Sequence, residues 1–252
     1  MSKTLSLLLG LLLSLSIHLH AQKADDTPQL KLDFQIYIWP HGGATLDQNA
    51  SLAVSKEGEL LPKYVGQRIG LLQGDQTILI PADKARLSKP ITYSGPPPIR
   101  FIEYDSAPTG DQLPSIIAEV NPPASMTDGL FILFPESQST VKYQILAVDT
   151  SQQKLSAGNT IIYNLTPSDI AIQVGETQMQ MRAMASETVA INHLRDSKLP
   201  IQIAVESEQA GQWTLRYSTR KMIQPDSRLI FLIYNPQANK SLYRILTLNA
   251  DD

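Results

Sequence analysis

From Leu30 to Trp39 apolar and polar side chains alternate. Leu30, Leu32, Phe34, Ile36 and Ile38 share one parity, and Lys31, Asp33, Gln35, Tyr37 and Trp39 share the other. Successive side chains of a strand point to opposite faces, so this pattern fits a strand with one face in a core and does not fit a helix. Pro40-His41-Gly42-Gly43 ends it, because proline has no amide hydrogen to donate and glycine frees the backbone. Comparable runs recur at 68–72, 77–80, 99–104, 116–120, 130–134, 142–148, 160–163, 170–174, 177–182, 200–206, 213–219, 228–234 and 242–248. Turn residues separate them, as at Gln73-Gly74-Asp75 and Val174-Gly175-Glu176. Only 82–89 has room for a turn or two of helix. Short strands at even spacing, broken by 17 Pro and 13 Gly, predict an all-β chain of sandwich type.

The pattern repeats. Phe131-Ile132-Leu133-Phe134 corresponds to Phe231-Leu232-Ile233-Tyr234, and Tyr143-Gln144-Ile145-Leu146 to Tyr243-Arg244-Ile245-Leu246, both at a shift of 100. Gly74-Asp75 and the strand after it match Gly175-Glu176 at a shift of 101. Leu113-Pro114 and Leu199-Pro200 each open a strand, at 116–120 and 201–205, which implies a shift of 86 and an extra loop near 121–128 in the first copy. Matches in one order predict an internal duplication. The expected layout is two tandem, related β-sandwich domains of immunoglobulin-like type, at 28–149 and 158–252, joined by the polar run Thr150-Ser151-Gln152-Gln153-Lys154.

The strand end Tyr143-x-Ile145-Leu146-x-x-Asp149, followed by Gly158-Asn159-Thr160-Ile161-Ile162-Tyr163-Asn164-Leu165, resembles a group of uncharacterised exported tandem β-sandwich proteins from Gram-negative environmental bacteria. The resemblance runs from about residue 130 to the end. It implies the architecture and no activity. In layout alone the chain is also similar to periplasmic pilus chaperones, without a match to the motifs around their basic cleft residues.

The first 21 residues read differently. Met1-Ser2-Lys3 is positively charged, 5–19 is leucine-dense without acidic residues, and His20-Ala21 puts a small residue before the polar run Gln22-Lys23-Ala24-Asp25-Asp26. That is the three-part layout of a cleaved secretory signal. The apolar stretch is shorter than the ~20 residues a membrane span needs, and no other stretch is long enough. The expected location is therefore periplasmic or extracellular, with no transmembrane segment in the mature chain. With zero cysteines there is no disulfide framework, thiolate site or lipoprotein anchor, which suits the bacterial periplasm. The Asn-x-Ser/Thr matches at Asn49, Asn164 and Asn239 are read as chance. The net charge of the full chain is −3, and neither half is basic enough to attract nucleic acid.

Chemistry is sparse. After cleavage two histidines remain, His41 in a Pro-His-Gly-Gly turn and His193 in a polar loop; neither serves a three-histidine zinc site, and both read as loop surface. There is no Gly-x-Ser-x-Gly elbow, phosphate-cradling glycine loop or EF-hand calcium loop. Neither a cofactor nor a metal is expected. Aromatic rings are the better binding candidates. Trp39 shares a parity with Tyr37 and is read as packing against the other domain in preference to stacking on a ligand; Trp213, alternating with Leu215 and Tyr217, reads as core. The opposite parity there, Thr214, Arg216, Ser218 and Arg220, forms a basic face that guards an edge strand or meets an anionic partner.

These readings predict an exported, non-enzymatic structural or interaction protein of the bacterial envelope. The alternative is a module binding carbohydrate or envelope polymer, which requires Tyr37 and Trp39 to be exposed. A hydrolase ranks third. The candidate contact residues are Tyr37, Trp39, Arg216 and Arg220, and the expected partner is a protein or an envelope polysaccharide.

Overall fold

A computed structural model describes residues 29–40, 69–74, 76–82, 85–103, 115–136, 142–191, 197–207, 211–236 and 242–251. Residues 1–21, His41, His193, Asn49 and Asn239 lie outside these. The described residues form strands, turns and bends, with no helix. In the first half these are β1 (Leu30–Ile38), β2 (Ile69–Gln73), β3 (Gln76–Ile80), β4 (Ile91–Gly95), β5 (Ile99–Glu103), β6 (Ile116–Val120), β7 (Asp128–Pro135) and β8 (Tyr143–Asp149). The second half holds β9 (Asn159–Asn164), β10 (Ile170–Val174), β11 (Thr177–Met181), β12 (Ser186–Ala190), β13 (Lys198–Glu206), β14 (Trp213–Met222), β15 (Leu229–Tyr234) and β16 (Arg244–Asn249).

Each half builds two four-stranded sheets. The first half has an inner sheet β4-β1-β7-β8 and an outer sheet β3-β2-β5-β6; the second has an inner sheet β12-β9-β15-β16 and an outer sheet β11-β10-β13-β14. The chain is thus all-β, in two tandem sandwich-like domains. Pairing is antiparallel except at the centre of each inner sheet, where β1–β7 and β9–β15 run parallel. The strand order of one half is the strand order of the other, and the registers agree. Tyr37 lies opposite Ile132 as Tyr163 lies opposite Leu232. The hairpins β2–β3 and β10–β11 turn at Gly74 and Gly175, with φ of 59° and 61°, a left-handed conformation in which a side chain is strained.

β4 and β12 answer to no run expected from the sequence. Both flank an inner sheet; burial alternates along β4, whereas β12 buries only Val189. One correspondence also needs correcting. By sheet order the counterpart of β6 is β14, so 116–120 matches 215–219 rather than 201–205, and no extra loop is required.

Three apolar layers separate the four sheets. The first core lies between the first outer and inner sheets, where Phe34, Phe101 and Phe131 meet with ring centroids 4.7 to 6.3 Å apart. The equivalent core of the second half contains Ile172, Ile203, Phe231 and Tyr243. The middle layer joins the halves: Tyr37, Trp39, Leu130, Ile132 and Phe134 from the first inner sheet meet Ile161, Ile230, Leu232 and Tyr234 from the second. This explains why β7 and β15 read as unbroken apolar runs. Their odd-numbered residues fill their own domain's core and their even-numbered ones fill the layer between domains, the double burial seen in strands covered on both faces.

The joint is part of this structure. Leu155 is fully buried in the middle layer, and Arg228 donates to the Thr150 and Ala250 carbonyl oxygens while pairing with Asp251 at 2.6 Å. Asn164, read from sequence as a chance acceptor site, is buried: its amide donates to the Ser168 and Arg182 carbonyls and accepts from the amide and hydroxyl of Thr166.

Candidate binding surface

The four candidate contact residues do not form one site. Tyr37 and Trp39 are 2% and 0% exposed. Trp39 packs on Phe134 at 5.0 Å and edge-on against Tyr234 at 4.9 Å. This is packing against the other domain, and the exposed pair required by the carbohydrate reading in its original form is absent. Burial, with a smaller contribution from Tyr234, pushes the Tyr37 phenol up to about 12.

Arg216 and Arg220 are exposed, but on β14 they do not share a face. A β-bulge lies between Ile203 and Ala204: Ile203 pairs with Tyr217 and Ala204 with Leu215, leaving Arg216 as the extra residue. Its guanidinium is close enough to Tyr243 to oppose the upward push that burial exerts on that phenol. Arg220 pairs with Pro200 on the outer face of the sheet.

The bulge also overturns the expectation that Trp213, Leu215 and Tyr217 form one core parity. Tyr217 packs against the second core, but Trp213 and Leu215, on the far side of the bulge, are turned outward. Leu215 is 54% exposed and Trp213 half-buried. A bulge sits at the same place in the first half, between Phe101 and Ile102, where the extra residue is the buried Ile117. Period-two reading assumes an unbroken register, and a single inserted residue inverts everything beyond it.

Trp213 and Leu215 belong to a depression of about 390 Å³ on the outer face of the second outer sheet. The register places its lining in rows. Gln178, Gln173, Gln202 and Ser218 lie side by side across four strands, and Gln180, Ala171, Ala204 and Leu215 form the next row. Trp213 follows beyond, opposite Glu206. The two alanines make a floor, with amides, the indole and Leu215 around it. No lining side chain is ionisable. Glu206 flanks it, its carboxylate accepting from the Gly211 amide at 2.7 Å.

The matching surface of the first half is closed. Gly70 stands where Ala171 does, and Ile102 where Ala204 does. A Cβ on Gly70 would come within 2.8 Å of Ile102 Cγ1 and of Thr77 Cγ2, and Ile102 is fully buried over it. Leu79 and Arg100 take the places of Gln180 and Gln202. One architecture therefore carries a closed surface bearing the Arg100–Glu119 ion pair in one half and an amide-lined hollow in the other.

Among the described residues no group of three or more His, Cys, Asp or Glu is placed to hold a metal ion, and no helix is long and apolar enough to cross a membrane. A second depression, about 430 Å³, runs along the seam between Arg86–Pro90 and Thr247–Asn249. The sequence reading missed the glutamine rows, although the signal was present: Gln178 and Gln180 alternate with Met179 and Met181. Compared with known proteins, the chain matches no family model and no curated protein.

Proposed function

We propose that this chain is an exported, non-enzymatic interaction protein of a bacterial envelope, periplasmic or extracellular, that engages its partner through the outer face of its second sandwich. One observation carries the reading. The two inner sheets are consumed by contact with each other, whereas the second outer sheet presents Trp213, Leu215 at 54% exposure and Met222 at 71% exposure. Large apolar side chains left in solvent along one face of a strand suit a contact surface. Export rests on the leader Met1–Ala21, and the absence of enzymatic activity on the lack of a nucleophile motif in the sequence. Shared strand order, registers and bulge support an origin by tandem duplication, after which one copy kept a closed outer face and the other opened it.

The test is site-specific photocrosslinking of the tagged mature protein in its native envelope. A photoreactive residue at Leu215 should yield discrete adducts, identified by mass spectrometry as protein or glycan. One at Arg100, on the equivalent face of the first half, should not. Equal labelling at both positions, or none at Leu215, refutes the assignment.

A further inference from the structure

We infer that the hollow on the second outer sheet binds a neutral, hydroxyl-rich glycan chain; this deepens the proposed function and rests on it for the choice of surface. Three features point to that ligand class. The floor, Ala171 and Ala204, lies on β10 and β13, the two central strands of the sheet, whose backbone groups are paired with a neighbour on either side. A ligand there cannot add as a strand and is read by side chains alone. Those side chains are primary amides, each with two donor hydrogens and an acceptor oxygen, which suit hydroxyl groups that also donate and accept. No charged group lines the hollow, so an anionic polymer gains nothing there and a neutral one leaves no ion desolvated.

The apolar part fits as well. Half-buried Trp213 borders an alanine floor with Leu215, and the flat, electron-rich face of an indole takes the C–H face of a sugar ring. The volume, about 390 Å³, falls at the lower end of the roughly 300–1,000 Å³ typical of ligand sites and accommodates a short run of sugar rings. Gln178 Nε2 lies 3.4 Å from Gln173 Oε1, and Gln173 Nε2 donates to the Gly175 carbonyl, so these amides are partly held in place before a ligand arrives.

The comparison with the first half supplies the decisive variant. Ala171→Gly with Ala204→Ile transplants the pair that closes the hollow in the first sandwich. Trp213→Ala removes the platform instead. Binding is read by affinity electrophoresis of the mature protein in gels containing laminarin or galactomannan, with alginate as the anionic control, and by tryptophan emission. Trp39 is fully buried, so a ligand-induced change in emission reports on Trp213.

Retardation by at least one neutral polysaccharide and none by alginate is expected. Both variants should weaken it at least tenfold while keeping wild-type melting behaviour within a few degrees. Binding that survives both variants, or binding to alginate alone, overturns the inference. If no polysaccharide retards the protein but Leu215 crosslinks to an identified envelope protein, the glycan assignment fails and the contact surface stands. If neither occurs, both fail.

Discussion

Trp39→Ala tests the layer between the domains. Trp39 is fully buried and its ring meets Phe134 of its own domain and Tyr234 of the other. Truncating a buried tryptophan costs about 3–5 kcal/mol. Loss of two well-formed aromatic pairs, each about 0.5–1.5 kcal/mol beyond area, places this variant near the upper end, about 4–5 kcal/mol. At about 2–4 °C per kcal/mol for a chain of this size, the melting midpoint should fall by roughly 8–20 °C. Differential scanning calorimetry with far-ultraviolet circular dichroism measures it. The transition should also broaden or split, because the weakened layer couples the halves. A midpoint within 2 °C of wild type and an unchanged single transition would show that Trp39 does not hold the two sandwiches together.

Alkaline pH acts on the same layer. Tyr37 is pushed up to about 12, and burial likewise raises Tyr163 and Tyr234. The unfolded chain therefore releases these protons first, so their contribution is fully present below pH 10 and is lost as pH climbs toward 12, on the order of 2 kcal/mol for Tyr37 alone. Denaturant midpoints that stay flat across this window contradict the burial argument, and Tyr37→Phe should reduce the slope. Asn164→Ala should cost about 1–2 kcal/mol, since it removes the buried amide that donates to the Ser168 and Arg182 carbonyls and leaves the Thr166 amide without this acceptor; urea midpoints with an unchanged m-value decide it. Arg228→Ala should cost about 1–2 kcal/mol and speed proteolytic cleavage near Thr150–Lys154, because it unties the joint from the C-terminal turn.

The class of fold was legible because half-buried strands announce themselves by parity, as at Leu30–Ile38. Where burial departed from one face in and one face out, the pattern weakened. β12 is an edge strand that buries only Val189. β7 and β15 read with the alternating strands, yet both of their faces are apolar, because the second face is covered by the inner sheet of the other half. Trp39 was placed correctly between the domains, since its polar-side parity required a cover other than its own core. The outward turn of Trp213 and Leu215 is hidden from the sequence for a local reason. One bulged residue, Arg216, turns Trp213 and Leu215 from the core side to the outside, and nothing in the composition of β14 marks that insertion.

The shared layer between the inner sheets has a consequence in time as well as in space. On the proposed export route the chain crosses the membrane unfolded and N-terminus first, so the first inner sheet is complete once Asp149 has crossed. The last strand of its cover ends at Asn249, 100 residues later. Until those residues follow, the first half stands with Tyr37, Leu130, Ile132 and Phe134 facing water. During that interval two half-delivered copies present each other with matching apolar faces. Slower translocation should favour dimers exchanged through this face, and a chaperone on the receiving side should suppress them.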